Sequence, residues 1–211
     1  MRIQLLGVYA MNETIEYYNR NADSFISGTI HADMSACQDR FLRYLSDGCR
    51  ILDAGCGSGR DSLAFLQKGY AVEAFDASEE ICKRASELLG FKVNCKCFED
   101  LSGDSQFDGI WASASLLHVK KEDLPDVMDR LKRLLKPNGI LYASFKEGKS
   151  ERFKGGRLFH DMTEEDCREL FRNTGLEVLE LFSNQDVRED RSDERWVNII
   201  GRNPVAGHTE A

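Results

Sequence analysis

Ile51-Leu52-Asp53-Ala54-Gly55-Cys56-Gly57-Ser58-Gly59-Arg60-Asp61 is the stretch that decides the fold. Arg50 to Ala54 reads as a strand that runs into alternating glycines, and Asp61 to Lys68 as a helix ended by Gly69. Alternating glycines permit a tight turn whose backbone lies open to a ligand. The N–H groups at the next helix start favour an anionic group there. A second strand, Ala71 to Phe75, runs into Asp76. A carboxylate at that place can take both ribose hydroxyls of an adenosine.

The same alternation continues outward. Ser78 caps a helix reaching about Leu89, with Glu79 and Glu80 in its first turn and Gly90 at its close. Phe91 to Cys95 and Phe107 to Ala112 read as the third and fourth strands. The clearest helix is Glu122 to Lys136, where Leu124, Val127, Met128, Leu131, Leu134 and Leu135 share one face. Pro137-Asn138-Gly139 stops it, and Ile140 to Phe145 is a fifth strand. Thr163-Glu164-Glu165-Asp166 caps a helix reaching Asn173. Leu176 to Phe182 and Trp196 to Gly201 are the last strands, joined by a polar loop from Ser183 to Glu194. With no helix between them, they read as an antiparallel pair at one edge. Residues 12–45 read as helices, with Phe41, Leu42 and Leu45 as an apolar stripe. The expected fold is α/β: a seven-stranded, mostly parallel sheet in three layers with an antiparallel edge strand.

The chain has 211 residues, 42% apolar and 30% charged, which suits one domain with a sizeable core. Residues 11–45 are expected to form a helical lid and 46–202 the core, with residues 1–10 a peripheral extension. The net charge is −8, from 36 acidic and 28 basic residues, which argues against nucleic acid as a partner. No apolar run is long enough to span a membrane. The seven cysteines lack the paired spacing of zinc sites and read as reduced thiols of a cytoplasmic protein without a bound metal.

A dinucleotide site wants G-x-G-x-x-G, and here Arg60 stands where the third glycine belongs. The stretch instead resembles motif I of the class I S-adenosylmethionine-dependent methyltransferases, whose Rossmann-like fold has this order of elements. Asp76 matches that family's ribose acid. Phe107-Asp108-Gly109-Ile110 is similar to its fourth strand, Leu116-Leu117-His118-Val119 to the segment after it, and Leu134 to Leu141 to its helix-turn-strand. The resemblance covers about residues 45 to 202. It implies S-adenosylmethionine as cofactor, with Asp53 facing the methionine amino end, Gly55 and Gly57 under the methionine and ribose, and Cys56 and Arg60 also among the cofactor-binding residues. Asp76 and Ala77 would take the ribose side. The family's adenine-binding acid falls on Cys97, a departure that shifts adenine recognition to Phe98 and Glu99. Ala112 and Ser113 would present carbonyls to the methionine end, and Tyr18 would reach the cofactor from the lid. The Gly57-to-Asp61 variant also resembles, weakly, tellurite-resistance-related methyltransferases.

Methyl transfer needs an in-line approach in a dry pocket, and a base only where the acceptor carries a proton. His118 is the histidine nearest the expected cofactor mouth and the candidate base; an ordinary loop histidine is the plainer reading. Lys146, Arg157 and Arg188 stand at strand ends and their loops, where they would suit a small anionic acceptor. The run from Arg188 to Arg195 mixes signs and can equally pair within itself. A nucleic-acid or protein methyltransferase is the alternative, and the segment after the fourth strand lacks the Asn/Asp-Pro-Pro-Tyr/Phe motif of amino-group methylation. A non-catalytic module that binds the cofactor is a third reading.

Overall fold

The computed structural model describes residues 12–188 and 191–205. The expected N-terminal extension, and Glu189 and Asp190 of the mixed-charge run, lie outside the described residues. Parallel strands β1 (Arg50–Ala54), β2 (Ala71–Asp76), β3 (Asn94–Cys95), β4 (Phe107–Ala112) and β5 (Leu135–Lys146) form most of one sheet. A short hairpin, β6 (Glu151–Lys154) and β7 (Arg157–His160), stands apart from it. The sheet is completed by β8 (Glu177–Gln185) and β9 (Arg195–Arg202), in the order β3-β2-β1-β4-β5-β9-β8. The one antiparallel strand is β9, held between β5 and β8.

Residues along each strand alternate between two helical layers, as the pleat requires. Leu52, Ile110 and Leu141 face α6 (Leu124–Leu134) and α7 (Glu164–Asn173) in one core cluster. Their neighbours Ile51, Trp111 and Tyr142 face α3 (Ser35–Leu42) and α4 (Arg60–Gln67) in the other, where Trp111 stacks on Tyr142 with ring centroids 3.8 Å apart. Phe41 of the expected stripe is fully buried against both rings. Helix α5 (Glu79–Leu89) is capped by Ser78, whose Oγ accepts the Ile81 N–H, and is closed by left-handed Gly90. Thr163 and Asp166 form the expected capping box of α7. A helix at residues 12–20, α1, and α2 (Ala22–Ser27) lie over the strand ends.

Three local readings are corrected. Helix α6 ends at Leu134, and Pro137-Asn138-Gly139 lies within β5 as a bulge. Asn138 takes φ +63 there, and its N–H donates to Asn203 O at 2.7 Å. Strand β3 is reduced to two residues, because Val93 turns into a side cluster with Cys82 and Ala85. The β6–β7 hairpin was not expected. Gly155 and Gly156, at φ +58 and +78, supply the double left-handed turn that joins its four-residue strands.

Candidate active site

The carboxyl ends of β1, β2, β4 and β5 open into a cavity of about 440 Å³, of the size that holds small molecules. It lies where the strand order reverses between β1 and β4, the usual ligand crevice of open α/β sheets. The glycine turn forms its floor and is pressed from two sides. A Cβ on Gly55, at φ +79, would stand 2.5 Å from Ser115 Cβ; one on Gly57 would meet the Phe25 ring of α2 at 3.2 Å. Ser115 Oγ in turn donates to Ala54 O at 2.6 Å.

Two carboxylates, buried Asp53 and half-buried Asp76, brace this turn. Asp53 accepts from Ser62 Oγ at 2.6 Å, and burial together with nearby Asp61 pushes its pKa up toward neutrality. Asp76 Oδ2 accepts the Gly57 N–H and Oδ1 the Ser78 N–H, both at 3.0 Å. Burial raises the Asp76 pKa even against these bonds. Asn19 of α1 accepts from Ser78 Oγ at 2.7 Å, so the helix over the cavity is tied to the same corner. Ala77, Phe98 and Glu99 line the wall beyond Asp76, and Cys97 stands beside them. Cys56, Arg60 and Ser113 also reach the wall, whereas Ala112 is fully buried in the core, one residue before the wall begins.

Arg60 is not free to meet an anion. Its Nε and Nη2 bond Asp61 at 2.9 and 2.8 Å, and Nη1 reaches Thr29 O at 3.3 Å. Asp61 also accepts from Gln38 Nε2 at 2.7 Å and Trp111 Nε1 at 2.9 Å. This hub was missed in the sequence: a carboxylate beside an arginine looks like a solvated pair until Gln38 and Trp111 are brought to it.

The opposite end of the cavity gathers Tyr18, His118, Lys146, Arg157 and Arg188. Tyr18 lies 2.8 Å from His118 Nε2, and His118 Nδ1 lies 2.6 Å from Leu158 O. Lys146 Nζ is bonded to Glu194, and Arg188 grips Asp186 through Nε and Nη2 at 2.9 and 2.6 Å. Arg157 makes no ion pair with any described carboxylate. Its guanidinium stacks 4.3 Å from the Tyr17 ring and 5.1 Å from Phe159, and its Nε is buried without a hydrogen-bond partner. Thr14 Oγ1, a contact with no signal in the sequence, accepts the Leu158 N–H at 3.0 Å and ties α1 to the hairpin.

Burial, helped by the nearby charges of Arg157 and Lys146, lowers the His118 pKa to about 4. Unfolded, the imidazole takes its proton near 6.5. Protons therefore favour the unfolded chain between these values. The stability from His118 contacts is full above about pH 6.5 and is lost as pH falls toward about 4. In denaturant titrations, the difference in unfolding free energy between wild type and His118→Gln is expected to narrow across that window. A constant difference would mean that the imidazole ionises alike in both states.

Residues 51–139 match the model of a methyltransferase domain family. The chain is 26% identical to an uncharacterized methyltransferase of Staphylococcus carnosus over 72% of this chain and 81% of that one. It is 31% identical to the malonyl-[acyl-carrier protein] O-methyltransferase of Erwinia pyrifoliae, over 56% of this chain but 47% of the enzyme, about half its length. In fold it is similar to the Burkholderia thailandensis 1,6-didemethyltoxoflavin-N1-methyltransferase, solved with 1,6-didemethyltoxoflavin and S-adenosylhomocysteine bound. The TM-score is 0.77 at 21% identity, over 95% of this chain and 90% of that one.

Proposed function

As a class I S-adenosylmethionine-dependent methyltransferase, this protein draws on a donor of known chemistry, and we propose that it delivers the methyl group to a small, anionic acceptor. One observation carries the reading: a single cavity, roofed by α1 and the β6–β7 hairpin, holds the donor corner at one end and Arg157 at the other. A cavity of about 440 Å³ suits a compact acceptor held beside the donor.

The donor corner suits its ligand chemically. Two carboxylates, buried Asp53 and half-buried Asp76, face a molecule that carries an ammonium, a sulfonium and ribose hydroxyls, and the glycine turn lines the same wall without side chains between them. Asp53, Gly55, Cys56 and Gly57 hold the methionine end, and Ser113 adds its carbonyl. Arg60 supports this end through Asp61. Asp76 takes the ribose hydroxyls, and Ala77 with Phe98 and Glu99 flanks the adenine. The donor supplies a methyl carbon already electrophilic, so the chain's task is orientation and exclusion of water. His118 reaches the cavity through Tyr18: its Nε2 is engaged by the tyrosine hydroxyl, and any proton it takes from an acceptor passes by that oxygen.

Calorimetric titration with S-adenosylmethionine and, separately, NADH tests the donor assignment. Binding of the former alone in the micromolar range is expected. Asp76→Ala is expected to weaken it about tenfold or more, through lost ribose contacts and a loosened Gly57 turn. Unchanged affinity in the variant would refute the assignment of Asp76. Turnover of small anionic metabolites, followed by release of S-adenosylhomocysteine, then separates an enzyme from a module that only binds the donor.

A further inference from the structure

The acceptor end of the cavity has a fixed pattern of donors and acceptors. Leu158 O can only accept, so the 2.6 Å contact places the imidazole proton on His118 Nδ1. Nε2 is then a lone pair, and the Tyr18 hydroxyl donates to it. The Tyr18 proton is thereby committed, and its oxygen is left as an acceptor on the cavity wall. Burial keeps the phenol protonated by raising its pKa, against the charge of Arg157 and a hydrogen bond from it that the same oxygen accepts beside its open cavity side. A ligand atom that meets Tyr18 Oη must therefore bring a hydrogen of its own.

Arg157 imposes the complementary demand. Its guanidinium carbon lies 5.8 Å from the Tyr18 ring centroid, and its buried Nε–H lacks an acceptor. Of the three cations expected to meet the acceptor, Lys146 and Arg188 are each bonded to a carboxylate and Arg157 is not. Of these three, the acceptor end thus offers one cation without an opposing described carboxylate, which balances one negative charge and not two. Lys96 and Arg130, which also line the cavity without a described carboxylate, stand beside Phe75 and Leu101 at the donor end. Phe159 and Trp196 on the same wall favour a flat molecule.

We infer that the methyl acceptor is a small planar monoanion that sets its charged group against Arg157 and a hydroxyl or N–H against Tyr18 Oη. This rests on the methyl-transfer reading and narrows its substrate class.

Simple aromatic acids test it in the protein saturated with S-adenosylhomocysteine. The probes are benzoate, the three hydroxybenzoates, phenol and phthalate, titrated by calorimetry. The tightest hydroxybenzoate is expected to bind about tenfold better than benzoate or phenol, and the dianion phthalate worse than benzoate. Tyr18→Phe should bring that hydroxybenzoate down to the benzoate level while leaving benzoate unchanged. Arg157→Gln should weaken both by about tenfold or more, and Arg157→Lys should restore part of the loss. Lys154→Gln removes a charge from the facing hairpin strand, outside the cavity wall, and should change nothing. A hydroxyl that brings no advantage overturns the inference, as do equal losses in Lys154→Gln and Arg157→Gln. So does failure of every monoanion to bind while S-adenosylhomocysteine binds normally. Failure of S-adenosylhomocysteine itself would instead overturn the methyl-transfer reading. Affinity for S-adenosylhomocysteine, measured in each variant, shows that the variant is folded.

Discussion

Asp61→Ala is expected to destabilise the protein by about 3–5 kcal/mol, the range for removing one partner of a buried ion pair. Asp61 is 5% exposed, and its carboxylate satisfies three groups from three elements: the Arg60 guanidinium of α4, Gln38 of α3 and the Trp111 indole of β4. Alanine would leave a largely buried arginine without its counter-charge and two polar N–H groups without an acceptor. The loss spreads to the cavity roof, because Arg60 also holds Thr29 O in the segment after α2. Urea unfolding followed by tryptophan fluorescence measures the effect, since Trp111 belongs to the network. A loss below about 1 kcal/mol would show that water or a neighbouring group takes over the role of Asp61.

Gly55→Ala should have the largest effect on donor binding. The added Cβ would stand 2.5 Å from Ser115 Cβ in a backbone held at φ +79. The left-handed conformation costs an alanine about 1–2 kcal/mol, and crowding in a packed site about 1–3 more. The turn escapes only by moving off the floor it forms. If about 3 kcal/mol is relieved in this way, affinity for S-adenosylmethionine falls about a hundredfold. Gly69→Ala separates the two causes. Gly69 has φ +88 but open space around it, so its variant carries the backbone strain without the collision and should bind the donor normally. Equal affinity of the Gly55 and Gly69 variants would show that the floor does not have to stay in place.

Much of this architecture was legible because its causes are local. The glycine turn, the Ser78 and Thr163 caps and the apolar face from Leu124 to Leu134 depend on residues within a few positions of one another. The hairpin at 151–160 was not read, because its four-residue strands are too short for a period and its glycine pair was the sole sign. The Pro137-Asn138-Gly139 bulge has the sequence of a stop, since turn residues look the same inside a strand as after a helix. Among the candidate site residues, the gathering of Asp53, Gly57 and Asp76 at one end of the cavity follows from order along the chain. The acceptor end does not. Lys146 is matched with Glu194, 48 positions away, and Tyr18 with His118, 100 positions away. Arg188 is matched with Asp186 only two positions away, but whether Lys146 or Arg157 stands without a carboxylate is decided by distant pairing, and charge composition carries no record of it.

The position of β9 bears on the order in which the molecule can be assembled. It is synthesised after every other described strand, yet it lies inside the sheet, antiparallel to β5 on one side and β8 on the other. Until Arg195–Arg202 leaves the ribosome, β5 and β8 each present a row of unpaired backbone groups, the kind of edge that recruits foreign strands. The donor corner, built from β1, β2 and β4, needs none of this pairing. The strands that carry the glycine turn can therefore pair early in synthesis, while the half that carries Lys146 keeps an open edge until its neighbour strand arrives.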